Sequence, residues 1–166
     1  MIIRELSRQE CLDVVARGHH GHLASAHDNH PYITPIHYAL EGDKIYMFSL
    51  DGQKVTWMRD NPHACIQIEE IAEDRQWKSV IVSGRYDELT GAPEENGERD
   101  YAWELLQKRP NWWEPGALGP RHTEAGAKAA PIFFSVAIDE ITGRQALSDA
   151  AAATPSVLFQ ASLGQA

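Results

Sequence analysis

Between Pro31 and Lys54 the chain reads PYITPIHYALEGDKIYMFSLDGQK, and no other stretch limits the possible folds as tightly. Two runs rich in Ile, Tyr, Phe and Met flank Glu41-Gly42-Asp43, the composition of a tight hairpin turn. The spacing predicts strands over 32–40 and 44–49. Pro35 falls inside the first and has no N–H for a ladder bond, so that strand must lie at an edge, carry a bulge, or leave backbone facing a ligand. After the second strand, Ser49, Gly52, Gln53 and Lys54 lead into a short helix over 55–60 that stops at Asn61-Pro62. A hydroxyl, a glycine, the amides of a helix start and a lysine supply what a phosphate monoester needs: donors, positive charge and close backbone approach. These four residues form a candidate phosphate site.

The flanking sequence supports a barrel. Ser7-x-x-Glu10 is a capping box, and Leu12, Val15 and Ala16 continue at helical spacing to a stop at Gly18, predicting a helix over 8–17. Strands follow at 22–26, after which Asp28-Asn29 turns the chain, and at 64–70 and 77–89, where Gly84 marks a bend or bulge. A second helix spans 92–108, firm from about Glu98, with Tyr101, Leu105 and Leu106 on its apolar side. A last strand at 132–139 leads into EITGR, which closes the barrel. Residues 109–131 are irregular; their Trp112 and Trp113 are expected to pack on the barrel or across a subunit interface. From residue 146 to 166 the chain is Ala-rich around Val157-Leu158-Phe159, either a disordered end or an arm laid on a partner subunit. Strands in antiparallel succession with few helices predict a mainly β fold, a split β-barrel of Greek-key type with peripheral helices, as one domain over 1–145.

Composition narrows the function. A formal charge of −9 over 166 residues, with no basic run, argues against nucleic-acid binding. No apolar run reaches the roughly 20 residues of a membrane span, and MIIRELSRQE lacks the apolar core of a signal peptide, so a cytoplasmic location is expected. Cys11 and Cys65 form neither a disulfide framework nor a metal spacing. Six of the eight histidines lie between His19 and His37, and His20 with His22 has the i, i+2 spacing of two ligands on one strand face. No Asp, Glu or Cys stands at the matching offset, so they read as turn and strand-end residues and no metal site is assigned. His37 differs: it shares a predicted face with Pro35 and is a candidate ligand contact.

GHLAS at 21–25, PYITPIHYAL at 31–40, IYMFSLDGQKVTWMRDNPHACIQIE at 45–69, WKSVIVSGRYDEL at 77–89 and FFSVAIDEITGR at 133–144 occur in an order that resembles the pyridoxamine 5'-phosphate oxidase-like, FMN-binding split-barrel proteins. The group that includes nitroimidazole-resistance proteins and flavin-binding relatives is the most similar. The resemblance implies a homodimer with FMN at its interface. It places Ser49, Gln53 and Lys54 at the phosphate, and Thr34, Pro35, Ile36, His37 and Tyr38 along the ring and ribityl chain. Trp77, Lys78 and Ser79 are implied to approach from the partner protomer.

Three departures bear on activity. Gln53 stands where the oxidases often carry arginine, which lowers positive charge at the phosphate. Residues 141–153, ITGRQALSDAAAA, lack the substrate-gripping segment of the vitamin B6 oxidases, and Phe48 replaces a histidine common in nitroimidazole-resistance proteins. The implied function is an FMN-dependent oxidoreductase of a small substrate, with NADH or NADPH binding transiently over the ring, since no dinucleotide fingerprint is present. The alternatives are a flavin carrier without turnover, or a heme- or deazaflavin-binding protein of the same fold.

Overall fold

The computed structural model describes residues 1–72, 76–90, 97–108 and 131–147. In chain order these form β1 (Ile2–Glu5), α1 (Arg8–Arg17), β2 (His20–His27), β3 (His30–Glu41), β4 (Lys44–Ser49), α2 (Gln53–Asp60), β5 (His63–Ile71), β6 (Trp77–Leu89), α3 (Glu98–Gln107) and β7 (Ile132–Leu147). The local signals act where they stand. Ser7 Oγ accepts from the Glu10 amide at 3.3 Å while the Glu10 carboxylate accepts from the Ser7 amide at 2.8 Å, completing the capping box. Arg4 of β1 also donates to Glu10, at 2.6 Å, and holds its carboxyl down at about 2. Asp28 and Asn29 both take positive φ, 47° and 61°, as a two-residue hairpin of I′ type requires. Gly42, at φ 61°, opens the two-residue turn between Glu41 and Lys44.

Six strands close on themselves in the cyclic order β7-β4-β3-β2-β5-β6, and β1 adds to the edge of β7. The β2-β3-β4 meander followed by β5 returning beside β2 is the Greek-key connection, with α2 in the crossover. β7 makes closure possible because it is 16 residues long. It pairs with β6 throughout one edge; on the other, its first half pairs with β4 and its last four residues with β1. Strand β1 is absent from the sequence expectation, and β7 continues through Leu147, past the point where the tail was placed. The reason is mutual: Ile2–Glu5 is too short to read as a strand alone, and it pairs with 144–147.

Inside the barrel, Leu23, Ile36, Tyr38, Ile45, Met47, Ile66, Ile68, Val80, Val82, Phe134 and Val136 form one core. α1 closes one end with Cys11, Val14 and Val15; Leu12 is half-buried and Ala16 exposed, so its inner face is turned from the predicted one. A second cluster lies outside the barrel, where Ala102, Leu105 and Leu106 of α3 cover Ala39, Tyr46, Phe48 and Phe133. Tyr101, expected on that face, is exposed. β4 is thereby buried on both faces, Ile45 and Met47 inward, Tyr46 and Phe48 under α3. Glu98 fixes the start of α3, accepting from Lys44 Nζ at 2.7 Å and the Tyr46 hydroxyl at 2.9 Å.

Tyr38 ties the barrel to its cap. Its buried hydroxyl donates to the Val15 carbonyl at 2.9 Å, at the C-terminal end of α1. Tyr38→Phe should therefore destabilise the protein by about 1–2 kcal/mol, the effect of leaving a buried acceptor without its donor. Urea unfolding reads this directly, and an unchanged midpoint would show that the bond contributes nothing net.

Candidate functional site

The site begins where the sheet parts. β3 pairs with β2 from His30 to His37, but with β4 only from Tyr38 to Glu41, so its first eight residues are paired on one edge alone. The Tyr38 amide donates to the His19 carbonyl at 3.0 Å, toward β2. Strand amides alternate, which turns those of Ile36 and Thr34 toward β2 and puts Pro35 and His37 on the open edge. Pro35 thus removes no ladder bond, as its sequence position required.

Side chains alternate as well, and they divide the five predicted residues of this strand. Ile36 and Tyr38 point their side chains into the core and turn their amides toward β2, so neither presents side-chain surface at the open edge. His37 is on the outer side with Pro35, but at 2 % exposure it lies beneath α3, its Nε2 3.3 Å from the Leu106 carbonyl. Thr34 is half-buried and Pro35 exposed, so these two present side-chain surface.

At the split, β4 ends in Ser49 and the loop turns into α2. Ser49 is buried and its hydroxyl donates to the Leu50 carbonyl at 2.8 Å. The helix starts at Gln53, two residues earlier than predicted, so Gln53 and Lys54 lie in its first turn and Gly52 is the N-cap. No side chain caps that end, and the first turn carries no acidic residue. A Cβ on Gly52 would meet nothing within 4 Å, and its φ of 168° is ordinary extended backbone. The glycine therefore relieves no strain, and a side chain there would project into open space. Uncapped helix amides, a hydroxyl at the strand end and a half-buried lysine in the first helical turn are a donor set that suits a phosphate.

A charged network that sequence reading missed holds this helix. Arg59 Nε and Nη2 donate to the two Glu88 oxygens at 2.7 and 2.8 Å, and Tyr86 donates to the same carboxylate at 2.8 Å. The Arg59 guanidinium holds the Glu88 carboxyl below the usual carboxylate range and lies 3.7 Å from Asp51, partly offsetting the charge of that loop carboxylate. On the other side Asn61 donates to the Ala26 carbonyl at 2.9 Å, and Trp57 packs on His27 and Tyr32. No local pattern marks Arg59 and Glu88 as partners, because β6 reaches α2 only after the barrel closes.

The third predicted group, Trp77, Lys78 and Ser79, opens β6. These residues line a cleft of about 380 Å³ with Glu69 and Ile71. Glu69 and Ile71 also border a cleft of about 350 Å³ that contains His20, His22 and Pro35. The fold thus sets Pro35 and Trp77–Ser79 in two clefts that adjoin at Glu69 and Ile71, while Ser49 to Lys54 stand at the split and not among the residues lining them. Lys78 Nζ lies 3.6 Å from Glu70, which also takes Arg17 at 2.9 Å. Trp112, Trp113 and the 157–159 knot fall outside the described residues.

Beside the Pro35 cleft, which His20 lines, three histidines converge. The His20 ring centroid is 3.9 Å from that of His19 and 6.0 Å from that of His37. Burial, then the neighbouring His19 and His37, push the His20 imidazolium down to about 4 from 6.5. The unfolded chain would take up a proton below pH 6.5 that the folded one refuses. Stability associated with His20 is therefore complete above pH 6.5 and is lost as pH falls toward 4, by about 2 kcal/mol after allowance for partial exposure. Comparing urea unfolding of wild type and His20→Asn at pH 7 and 4.5 checks this; equal pH slopes in the two proteins would discard it.

Comparison with known proteins agrees with this architecture. The family described as pyridoxamine 5'-phosphate oxidase matches residues 7–145. An uncharacterised protein of Rhizobium meliloti (strain 1021) is 52% identical over 146 residues, covering 88% of this chain and 97% of its own. The crystal structure of an FAD-binding protein from Mesorhizobium loti is similar with a TM-score of 0.75 and 40% identity, over 89% of this chain and 100% of that one. An FAD-binding protein from Mycobacterium smegmatis, at 21% identity, shares the fold with a TM-score of 0.61 over 87% of this chain and 100% of its own. With a family match spanning most of the described barrel and two substantial relatives covered almost end to end, this chain belongs to the pyridoxamine 5'-phosphate oxidase family.

Proposed function

We propose that the chain binds a flavin through its phosphate at the split between β3 and β4 and acts as a flavin-dependent oxidoreductase on a small aromatic or quinone-like substrate. The observation that carries this reading is the meeting of three features. The one-sided edge of β3 with Pro35, the end of β4 at Ser49, and the uncapped start of α2 with Lys54 adjoin one another. The 40%-identical relative described as an FAD-binding protein supports the flavin itself. FMN is the smallest form that uses the phosphate donors.

In this reading Ser49, Lys54 and the amides of Gln53 and Lys54 hold the phosphate, while Thr34, Pro35 and the open edge of β3 border the flavin. Trp77, Lys78 and Ser79 form a further wall, supplied by the same chain or its partner. A bound flavin supplies hydride or electron transfer; the chain's residues place it and keep water away. Vitamin B6 oxidation is not proposed, because residues 141–147, which lack the substrate-gripping segment, are here a β-strand paired with β1 and β6.

A homodimer completes the proposal. Ile33 and Leu50 are 64% and 45% exposed beside the split, and Ile71, 76% exposed, lines both clefts. Apolar side chains gathered around one prospective ligand face are suited to burial by a second copy. Sedimentation at micromolar concentration should give a dimer, and a monomer would count against it.

The test of function is anaerobic. Protein loaded with flavin is mixed with NADH or NADPH and the flavin absorbance is followed, then acceptors are added. Bleaching followed by reoxidation is the expected result. If neither donor nor dithionite-reduced protein passes electrons to any quinone or nitroaromatic acceptor, the carrier reading replaces the enzyme. A Soret band in place of flavin bands would transfer the proposal to heme.

A further inference from the structure

Pro35 is one end of a row that crosses three strands. His22 of β2 stands opposite Pro35 on one side and opposite Gln67 of β5 on the other, so the three side chains share the outer face of the barrel. All three line the cleft of about 350 Å³ to which Glu69 and Ile71 also belong. Hydrogen bonds continue the row. His22 Nδ1 lies 3.3 Å from Gln67 Oε1, and Gln67 Nε2 donates to Glu69 at 3.2 Å and to Ser79 Oγ at 3.4 Å. These bonds fix a proton. A carboxylate only accepts, so the Gln67 amide turns its nitrogen to Glu69 and its oxygen to His22. An amide oxygen also only accepts, so Nδ1 carries the ring hydrogen and donates it. In the neutral ring Nε2 is then a bare acceptor; His22 is exposed, and this nitrogen has no partner among the described residues.

From this arrangement we infer that the cleft is a subsite for a neutral hydroxylated aromatic, a phenol or hydroquinone, whose ring lies against Pro35 and Ile71 and whose hydroxyl donates to His22 Nε2. Gln67 and Glu69 act through His22, as positioning residues. The charge of the cleft agrees with a neutral donor. Among the described residues no lysine or arginine lines it, and burial, then His19 and His37, hold the His20 imidazolium down at about 4. The Glu69 carboxylate repels an anion, and a bare imidazole nitrogen calls for a ligand that donates. The inference rests on the flavin reading above for its place in a reaction, since Pro35 borders the flavin there and a hydroquinone is the reduced form of a quinone-like substrate. Binding itself is carried by the residues of the cleft. A pair that served only to join β2 to β5 would need one bond; the Gln67 amide is held at both ends, which sets the tautomer of His22 as well.

The test uses the full-length, flavin-free protein at pH 8, where an ordinary imidazole is neutral and a phenol keeps its proton. Nitrogen NMR of the histidine rings, with the His22 signals identified by their loss in His22→Leu, should show the proton on Nδ1. In Gln67→Leu the tautomer protonated at Nε2 should appear. Calorimetric titration with p-cresol and with its methyl ether, which cannot donate, should give about tenfold tighter binding of the phenol. His22→Leu should abolish that preference while the affinity for the ether stays within about twofold, and Gln67→Leu should reduce it. A wild-type His22 protonated at Nε2, equal binding of the two probes, binding of neither, or a preference that survives His22→Leu overturns the subsite. FMN titration of the same samples tests the flavin reading separately, because Ser49 to Lys54 do not line this cleft.

Discussion

A Lys54→Ala variant should fold normally and bind FMN about 10- to 100-fold more weakly than wild type, with no change in its affinity for riboflavin. The expectation follows from the position of Lys54 in the first turn of α2, where, in the proposed function, amides and ammonium would act on one anion. A hydrogen bond to a charged group contributes about 1.5–3 kcal/mol. Asp51 already exerts an opposing field at the loop, moderated by Arg59 at 3.7 Å, so removing the lysine leaves the phosphate facing a net acidic surface. Riboflavin separates this from a general loss of the site, because it carries the ring and the ribityl chain without the phosphate. If fluorescence titration shows FMN and riboflavin weakened alike, Lys54 is holding the loop and not the anion. If neither changes, the phosphate lies elsewhere.

The largest effect on stability should come from a single methyl group. Gly84 lies at the irregularity in the β6–β7 ladder, where the register shifts between Ser83 and Gly84. A Cβ there would stand 2.0 Å from the Ala137 carbonyl oxygen and 2.8 Å from Val136 Cγ1. The first obstacle is backbone, in the strand pairing that closes the barrel, so no rotamer change relieves it. Gly84→Ala should lower stability by about 3–5 kcal/mol, the upper range for overpacking, out of a typical total of about 5–15 kcal/mol. Gly52→Ala is the control, since its Cβ meets nothing within 4 Å. Its unfolding midpoint should stay within about 0.5 kcal/mol of wild type. A Gly84→Ala protein as stable as the control would mean that β6 and β7 can separate locally without loosening the barrel.

How far the chain could be read before its structure was known depended on the range of each interaction. The capping box needs only Ser7 and Glu10, and both turns need only residues able to take positive φ, Asp28 with Asn29 and Gly42. These were legible because partner and signal lie within four residues of each other. Gly84 was legible as a bulge because a glycine breaks an otherwise regular alternation. Pro35 announced an incompletely paired strand, and the one-sided edge of β3 answers it. The order of these features, with the loop from Ser49 to Lys54 among them, sufficed to point to the family.

Everything that depended on closure was hidden. β1 exists because β7 runs on to Leu147 and offers it an edge, and neither partner signals the other locally. Arg59 finds Glu88, and the clefts of Pro35 and of Trp77–Ser79 adjoin, only when β5 returns beside β2 and β6 beside β5. Which side of β3 each residue faces was decided in the same way. Alternation alone made His37 and Tyr38 neighbours on opposite faces, but α1 and α3 determined that one would be tied to Val15 and the other covered at Leu106. Sequence by itself determined the turns, the caps and the strand pattern, because these are energies of residues close along the chain. Tertiary structure alone decided which side chains share a surface, because register and closure depend on contacts between distant segments that local propensity does not specify.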